Sequence, residues 1–353
     1  MHYKVGDATI KEILEQVKAW ENTLKDIKKD RESLQRYTRG LKDKELILIG
    51  CGTSYYLALS GASVYMKITK EKARGVPASD ILVFPYSVFA RDSKYLVVPI
   101  SRSGTTTETV LAACYIKEKL GIETLALSCY ENSELANLCD RKLIASGASE
   151  KSIVMTKSFT SMLLIIQLLA AIKAGNKEYE EQLLSLPEKG KRILKEYQSF
   201  TKDIAYDESL NKFIYLGQGP FYGLASESML KIKEMSLSHS EAYHCLEFRH
   251  GPKSIVDNKT LVIIFLSDSG KDYETTLLKD IKDLGAKTLV ICDRATKEIM
   301  DFGDYIVELD SGLPDYARLI LYMPITQLLG YYRAIFKGLD PDNPKNLTQV
   351  VIL

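Results

Sequence analysis

From residue 8 to residue 40, apolar positions recur at helical spacing among many charges, and neither Gly nor Pro intervenes before Gly40. That period predicts one long amphipathic helix. The pattern then changes. ELILIGCG (45–52) is a short unbroken apolar run ending in glycine, the signature of a buried parallel strand feeding a tight turn. A helical stretch follows over 54–70. YLVVPIS (95–101) predicts a second strand, leading through a hydroxyl-rich turn into a helix over 106–120, and TLALSC (124–129) predicts a third. Strands alternating with helices at this spacing predict an α/β fold with a doubly wound parallel sheet.

The same pattern occurs twice. LILIGCGTSYYLALSG (46–61) aligns with FIYLGQGPFYGLASES (213–228), pairing Gly50 with Gly217 and Gly52 with Gly219, each 167 residues apart. LVVPISRSG (96–104) aligns with LVIIFLSDSG (261–270), where Gly104 to Gly270 and Glu108 to Glu274 are both steps of 166. GIETLALS (121–128) aligns with GAKTLVIC (285–292), a step of 164. Three strand–turn–helix units recurring in order at a nearly constant offset predict two copies of one module. The expected organisation is an N-terminal helical segment (1–40), a first module (41–175), charged linking helices (176–205), a second module (206–338) and an extended tail (339–353). A break is expected at the Pro–Glu–Lys–Gly of 187–190. The tail's VVIL is too apolar to leave in water.

Composition narrows the function classes. Of 353 residues, 26% are charged, which is ordinary for a folded chain and excludes global disorder. The net charge of +1 argues against a nucleic-acid binder that works by bulk neutralisation. The most apolar run, Met162 to Ile172, has 11 residues and is too short to span a bilayer; the stretch 319–329 is interrupted by Pro324 and Gln327. The opening MHYKVGDATIKEILEQ carries no basic-then-apolar signal. A cytoplasmic, soluble protein without nucleic-acid or membrane partners is expected. Six cysteines lie far apart with no C-x-x-C pair, so neither a disulfide framework nor a zinc site is legible.

Two constellations carry chemistry. Gly50-Cys51-Gly52-Thr53-Ser54 and Ser101-Arg102-Ser103-Gly104-Thr105-Thr106-Thr107 each follow a predicted parallel strand and precede a helix. Topology places both at carboxyl ends of strands, where open α/β sheets bind ligands. Helix starts offer unpaired N–H groups suited to phosphate, and small hydroxyls add donors without filling the space. Ser and Thr at helix starts also serve as plain N-caps; two such loops converging on one edge favour phosphate. No G-x-x-x-x-G-K-[ST] pattern is present, which argues against a nucleoside triphosphate. A dinucleotide is only weakly supported, because G-C-G-T-S-Y lacks the third glycine.

The second constellation is ESMLKIKEMSLSHSEAYHCLEFRHGPKSIV (227–256). Glu227, Lys231 and Glu234 share a helix face, which by itself fits an ion-paired solvated surface. His239, His244 and His250 follow, three of only four histidines in the chain, in a segment of poor helical period. A carboxylate and a histidine near a phosphate site fit proton transfer on a sugar phosphate.

With GCGTS (50–54), SRSGTTTET (101–109), IVMTKSF (153–159), ESMLKIKE (227–234), SEAYHCLEFRHGP (240–252) and DNPKNLTQVV (342–351), the chain resembles the double-SIS (sugar isomerase) family. This is the fold of the isomerase half of glutamine:fructose-6-phosphate amidotransferase. The resemblance runs from about residue 10 to the end. IVMTKSF together with SEAYHCLEFRHGPK is most similar to type-II glucosamine-6-phosphate deaminases and the tagatose/ketose–aldose isomerase group. The sequence shows no glutaminase domain with an N-terminal Cys, so the complete amidotransferase reaction is not expected.

The resemblance implies two tandem flavodoxin-like SIS domains and the following roles. Phosphate falls to Ser54, Ser101, Ser103 and Thr106, with Thr53 and the Arg102 backbone alongside. Cys51, Gly52 and the backbone of Ile153, Val154, Met155 and Thr156 line the sugar. Glu234 is the base between C1 and C2, Lys231 lies near the sugar, and His250 assists ring opening, reaching across a homodimer into the partner's site. Where the amidotransferase has a tail lysine able to form an imine, this chain aligns Gln349, which argues against a lysine-imine route but leaves Gln349 as a substrate-binding residue that hydrogen-bonds the sugar. Lys157 reads equally as structural or functional. The expected reaction converts glucosamine 6-phosphate to fructose 6-phosphate and ammonia, with no metal or organic cofactor. A fructosamine-6-phosphate deglycase, a plain ketohexose-phosphate isomerase and a non-catalytic phosphosugar sensor are the alternatives. One phosphate site per chain is expected, because GQGPFYG (217–223) has lost the hydroxyls of GCGTS.

Overall fold

A computed structural model describes residues 5–348. The chain divides into two compact units, Glu15–Pro187 and Glu188–Leu347, the latter joined by the residues up to Leu14. Each unit is built on one five-stranded parallel sheet.

The first unit contains β1 (Glu45–Gly50), β2 (Ala73–Pro77), β3 (Tyr95–Pro99), β4 (Glu123–Ser128) and β5 (Arg141–Ile144) in the order β2-β1-β3-β4-β5. Central strands are apolar throughout because both faces are covered. The longer helices here are α1 (Asp7–Arg39), which belongs to this unit from Glu15 onward, α2 (Thr53–Thr69), α3 (Thr107–Glu118) and α4 (Lys157–Ala174). Helix α4 is apolar all round and is the buried core helix of its unit, with 89% of its 18-residue span inside. By length and composition alone it would pass for a membrane span. Two glycines set close approaches: a Cβ on Gly61 of α2 would meet Ile166 of α4 at 2.9 Å, and one on Gly75 of β2 would meet the Ala58 backbone at 2.7 Å.

The second unit repeats the design. Its strands β6 (Lys212–Gly217), β7 (His239–Tyr243), β8 (Thr260–Phe265), β9 (Lys287–Cys292) and β10 (Tyr305–Glu308) run β7-β6-β8-β9-β10. Counted within each unit, both orders are 2-1-3-4-5, the flavodoxin-like winding. Its longer helices are α5 (Leu186–Ala205), α6 (Phe221–Ser236), α7 (Lys271–Asp283) and α8 (Met323–Phe336). The α/β tandem architecture read from the sequence is the observed one.

Local departures have local causes. The expected break at 187–190 does not occur: α5 starts at Leu186 and carries Pro187 in its first turn, where a missing N–H removes no helical bond. The break falls at Ser185, which caps the preceding helix Lys177–Leu184. The part of the tail that is described closes onto the helix start of its own unit. Asp342 accepts from the amides of Ala8 (2.9 Å) and Thr9 (2.7 Å), and Asp340 accepts from that of Gly6 (3.1 Å). Helix α1 is therefore N-capped from the far end of the chain.

Candidate active site

In the first unit β1 and β3 are neighbours at the point where the strand order reverses, with Ile49 opposite Pro99. The loops after them share one edge of the sheet. Gly52 takes φ +52°, and a Cβ on Gly50 would come within 2.6 Å of Ser54 Cβ, so the turn needs both glycines. Thr53 and Ser54 open α2 and are buried. The Cys51 thiol lies 3.6 Å from Thr109 Oγ1, and burial pushes its pKa up, so it stays a neutral thiol.

The second loop is shaped by its own hydroxyls. Ser101 Oγ accepts from the Gly104 amide at 3.0 Å and pairs with Thr106 Oγ1 at 2.9 Å. Gly104 has φ +66°, and a Cβ there would strike Ser133 Oγ at 2.1 Å. Ser103 Oγ accepts from the amide of Thr105 at 3.2 Å. The amides of Ser103 and Thr106 donate to no acceptor among the described residues. Thr106 is the N-cap of α3 and makes no side-chain cap bond. Open amides at a helix start beside hydroxyls have the chemistry to accept an anion.

Arg102 does not add its guanidinium to these donors. Its Nη1 donates to Glu150 (3.3 Å) and to the carbonyls of Ser152 (3.2 Å) and Ile153 (3.0 Å). The side chain ties the loop to residues 150–153, leaving only its backbone beside the anion seat. Val154 and Thr156 are buried, while Ile153 and Met155 are partly exposed. Lys157 is mostly buried and pairs with Glu15 at 3.3 Å.

In the second unit, α6 carries the acid. Lys231 Nζ lies 2.6 Å from Glu234 Oε2 and 3.4 Å from Glu227 Oε1. Lys231 and Glu227 are buried, whereas the Glu234 side chain keeps 19% exposure. The helical spacing that reads as a solvated surface is therefore a buried ionic row with one carboxylate at its open end. Glu227, which the sequence offered only as a neighbour on that face, is the anchor of the row.

The three histidines have separate settings. His239 is exposed on β7, 3.5 Å from Glu241. His244 stacks on Tyr222 with ring centroids 3.8 Å apart, and burial lowers its pKa. His250 is exposed after a short 3-10 turn, Glu247–Arg249, and has no side-chain bond to Glu234 or Lys231. Its loop is anchored by buried Cys245 and Phe248 and by Arg249, whose Nη2 lies 2.7 Å from Asp280 of α7. Gln349 lies outside the described residues.

A family model described as the SIS domain matches residues 41–172 and 209–328. The chain belongs to the SIS family. It is 31% identical to the isomerizing glutamine–fructose-6-phosphate aminotransferase of Francisella tularensis over 97% of this chain and 58% of that protein. The curated relatives are longer: this chain spans 51–58% of their length. The C-terminal domain of the Francisella tularensis enzyme, glucosamine-fructose-6-phosphate aminotransferase, superposes with a TM-score of 0.83 at 27% identity, covering 97% of this chain and 99% of that one. A glucosamine-6-phosphate deaminase from Thermotoga maritima gives 0.80 at 30% identity, covering 98% and 100%. The homology is to the isomerase domain of the aminotransferases.

The second SIS domain shows what its sister's loop lacks. Ser267 Oγ accepts from the Gly270 amide at 2.9 Å, as Ser101 does from Gly104. Here, however, the loop amides are filled from within. Asp315 accepts from Asp268 N (2.8 Å), Ser269 N (3.0 Å) and Ser269 Oγ (2.7 Å), and Glu274 accepts from Ser267 N (2.7 Å). Arg318, fully buried, donates to Asp315 at 2.7 Å. Two amides, a hydroxyl and a guanidinium around one carboxylate make the donor set of a bound oxyanion. In the second SIS domain that anion is the protein's own.

Proposed function

We propose that this SIS protein is a phosphosugar isomerase that deaminates glucosamine 6-phosphate to fructose 6-phosphate and ammonia. The carrying observation is Glu234, a carboxylate fixed at 2.6 Å by a buried ammonium and open on its other side. A phosphosugar sensor has no need of a buried ionic row that aims an acid, so the row favours catalysis. The phosphate is assigned to the open amides of Ser103 and Thr106 with Ser54, Ser101 and Thr53, where a dianion gains most from dipoles and charge-assisted bonds.

In this reading His250 takes the C1 hydroxyl proton and protonates the ring oxygen, opening the pyranose to the aldehyde. Glu234 removes the C2 proton; the electron pair forms the C1–C2 double bond, and the carbonyl oxygen at C1 takes a proton from water, giving the enolamine. The same carboxyl returns the proton to C1, leaving a C2 iminium. Water adds to C2 and ammonia departs, giving the ketose. The substrate's own carbonyl is the electron sink, and the fixed phosphate supplies positioning. The exposed ring of His250 supports a role in the site of a second copy, in a cytoplasmic homodimer.

Ammonia release measured across glucosamine 6-phosphate, fructosamine 6-phosphate and tagatose 6-phosphate tests the assignment. Release from glucosamine 6-phosphate with formation of fructose 6-phosphate is expected. Isomerisation without ammonia, or release only from the fructosamine, would replace it with one of the neighbouring reactions.

A further inference from the structure

The structure assigns Glu150 as the positioning residue of the phosphate cradle, an assignment that rests on the phosphosugar reading above. Glu150 lies in no motif that carries the chemistry, yet its side chain is wholly buried. Its Oε1 accepts from Thr156 N (2.7 Å), Thr156 Oγ1 (2.9 Å) and Ser158 N (3.1 Å). Its Oε2 accepts from Ser158 Oγ (2.5 Å) and from Arg102 Nη1 (3.3 Å). One carboxylate thus caps the start of α4 and anchors the cradle loop through Arg102.

Residue 102 is held from both sides. Its carbonyl accepts from Cys129 N at 3.1 Å and Ser128 Oγ at 3.2 Å, at the end of β4. Its guanidinium is fixed by Glu150 and by the carbonyls of Ser152 and Ile153. Ser101 and Ser103 flank this clamped residue, so the hydroxyl and amide that they present are ordered before any ligand arrives. A fully satisfied buried polar network is rigid, and preorganised donors spare binding the entropy of ordering the loop. Glu150 touches no ligand in this arrangement; it acts through Arg102.

The test compares wild type with Glu150→Gln, Arg102→Met and the double variant, titrating inorganic phosphate by calorimetry and assaying glucosamine 6-phosphate. In Glu150→Gln the phosphate Kd and the sugar KM should each rise about 10- to 100-fold, the scale of a cradle displaced by about an ångström, while kcat falls less than about threefold. The double variant should lose no more phosphate affinity than the worse single one, because the two residues act as one unit. A folded Glu150→Gln with wild-type phosphate Kd and only a lowered Tm would reduce Glu150 to a structural residue and overturn the assignment. Should that variant not fold, Arg102→Lys carries the same readout: it keeps a cation opposite Glu150 but loses the planar guanidinium whose Nη1 reaches the carbonyls of Ser152 and Ile153. A wild type that binds no phosphate overturns the functional reading itself, and the positioning role with it.

Discussion

Lys231 Nζ and Glu234 Oε2 stand 2.6 Å apart on successive turns of α6, the lysine buried and the glutamate at the border with solvent. The contact fixes which oxygen of Glu234 is spent inside the protein and leaves the other at the exposed side. Glu234→Gln keeps the shape and the hydrogen-bond acceptor but removes the base. It should lower kcat by roughly 10²–10⁴-fold, the usual contribution of a positioned general base, with phosphosugar affinity retained. Turnover within a few-fold of wild type would remove Glu234 from the mechanism.

The same row makes a stability prediction. Lys231→Met deletes a cation that faces the buried Glu227 carboxylate at 3.4 Å. Removing one partner of a buried pair leaves a charge in a poor solvent and should cost about 3–5 kcal/mol, read as a fall in the urea midpoint. Adding Glu227→Leu to Lys231→Met should restore much of that loss, since apolar replacement of both partners is often close to neutral. A double variant no more stable than Lys231→Met would show that the ion pair is not the source of the cost.

What the sequence disclosed follows from what it encodes locally. Runs such as ELILIG and YLVVP announce buried strands because every side chain in them is apolar. The glycine and hydroxyl turns after them are equally local signals. The edge strands β2 (ARGVP) and β5 (RKLI) carry no such signal, being short, polar and buried on few positions. Closeness in sequence misled for the histidines, which β7 and the loop after it distribute to three different surroundings. Glu150 was invisible for the opposite reason: its partner Arg102 is 48 residues away, and no periodicity links the two. The filling of the second cradle was half legible, since GQGPFYG had plainly lost its hydroxyls. The carboxylate that replaces the ligand comes from Asp315, which only the fold brings there.

That filled cradle predicts a stoichiometry. Wild type should bind one phosphate per chain by equilibrium titration, because Asp315 already occupies the amides of Asp268 and Ser269. Asp315→Ala should vacate a seat lined by two amides, a hydroxyl and buried Arg318. Millimolar phosphate or formate should then raise that variant's Tm well beyond any effect on wild type, as ligand linkage requires. Two phosphates bound per wild-type chain would contradict the observed filling.

Glu274 gives the second SIS domain a pH dependence of definite sign. Burial raises its carboxyl pKa to about 7, against the opposing hydrogen bonds from Ser267. An acid whose folded pKa exceeds its unfolded value of 4.5 binds more protons in the folded state between those limits. Stability from this group is therefore fully present below about pH 4.5 and declines as pH rises towards 7, by up to about 3 kcal/mol. Glu274→Gln keeps an oxygen acceptor for the Ser267 amide but cannot ionise. Urea unfolding at a series of pH values from 5 to 8 should show wild type losing stability relative to Glu274→Gln as pH rises. A difference between the two that stays flat across that range would mean the carboxyl ionises normally, with the Ser267 bonds fully offsetting its burial.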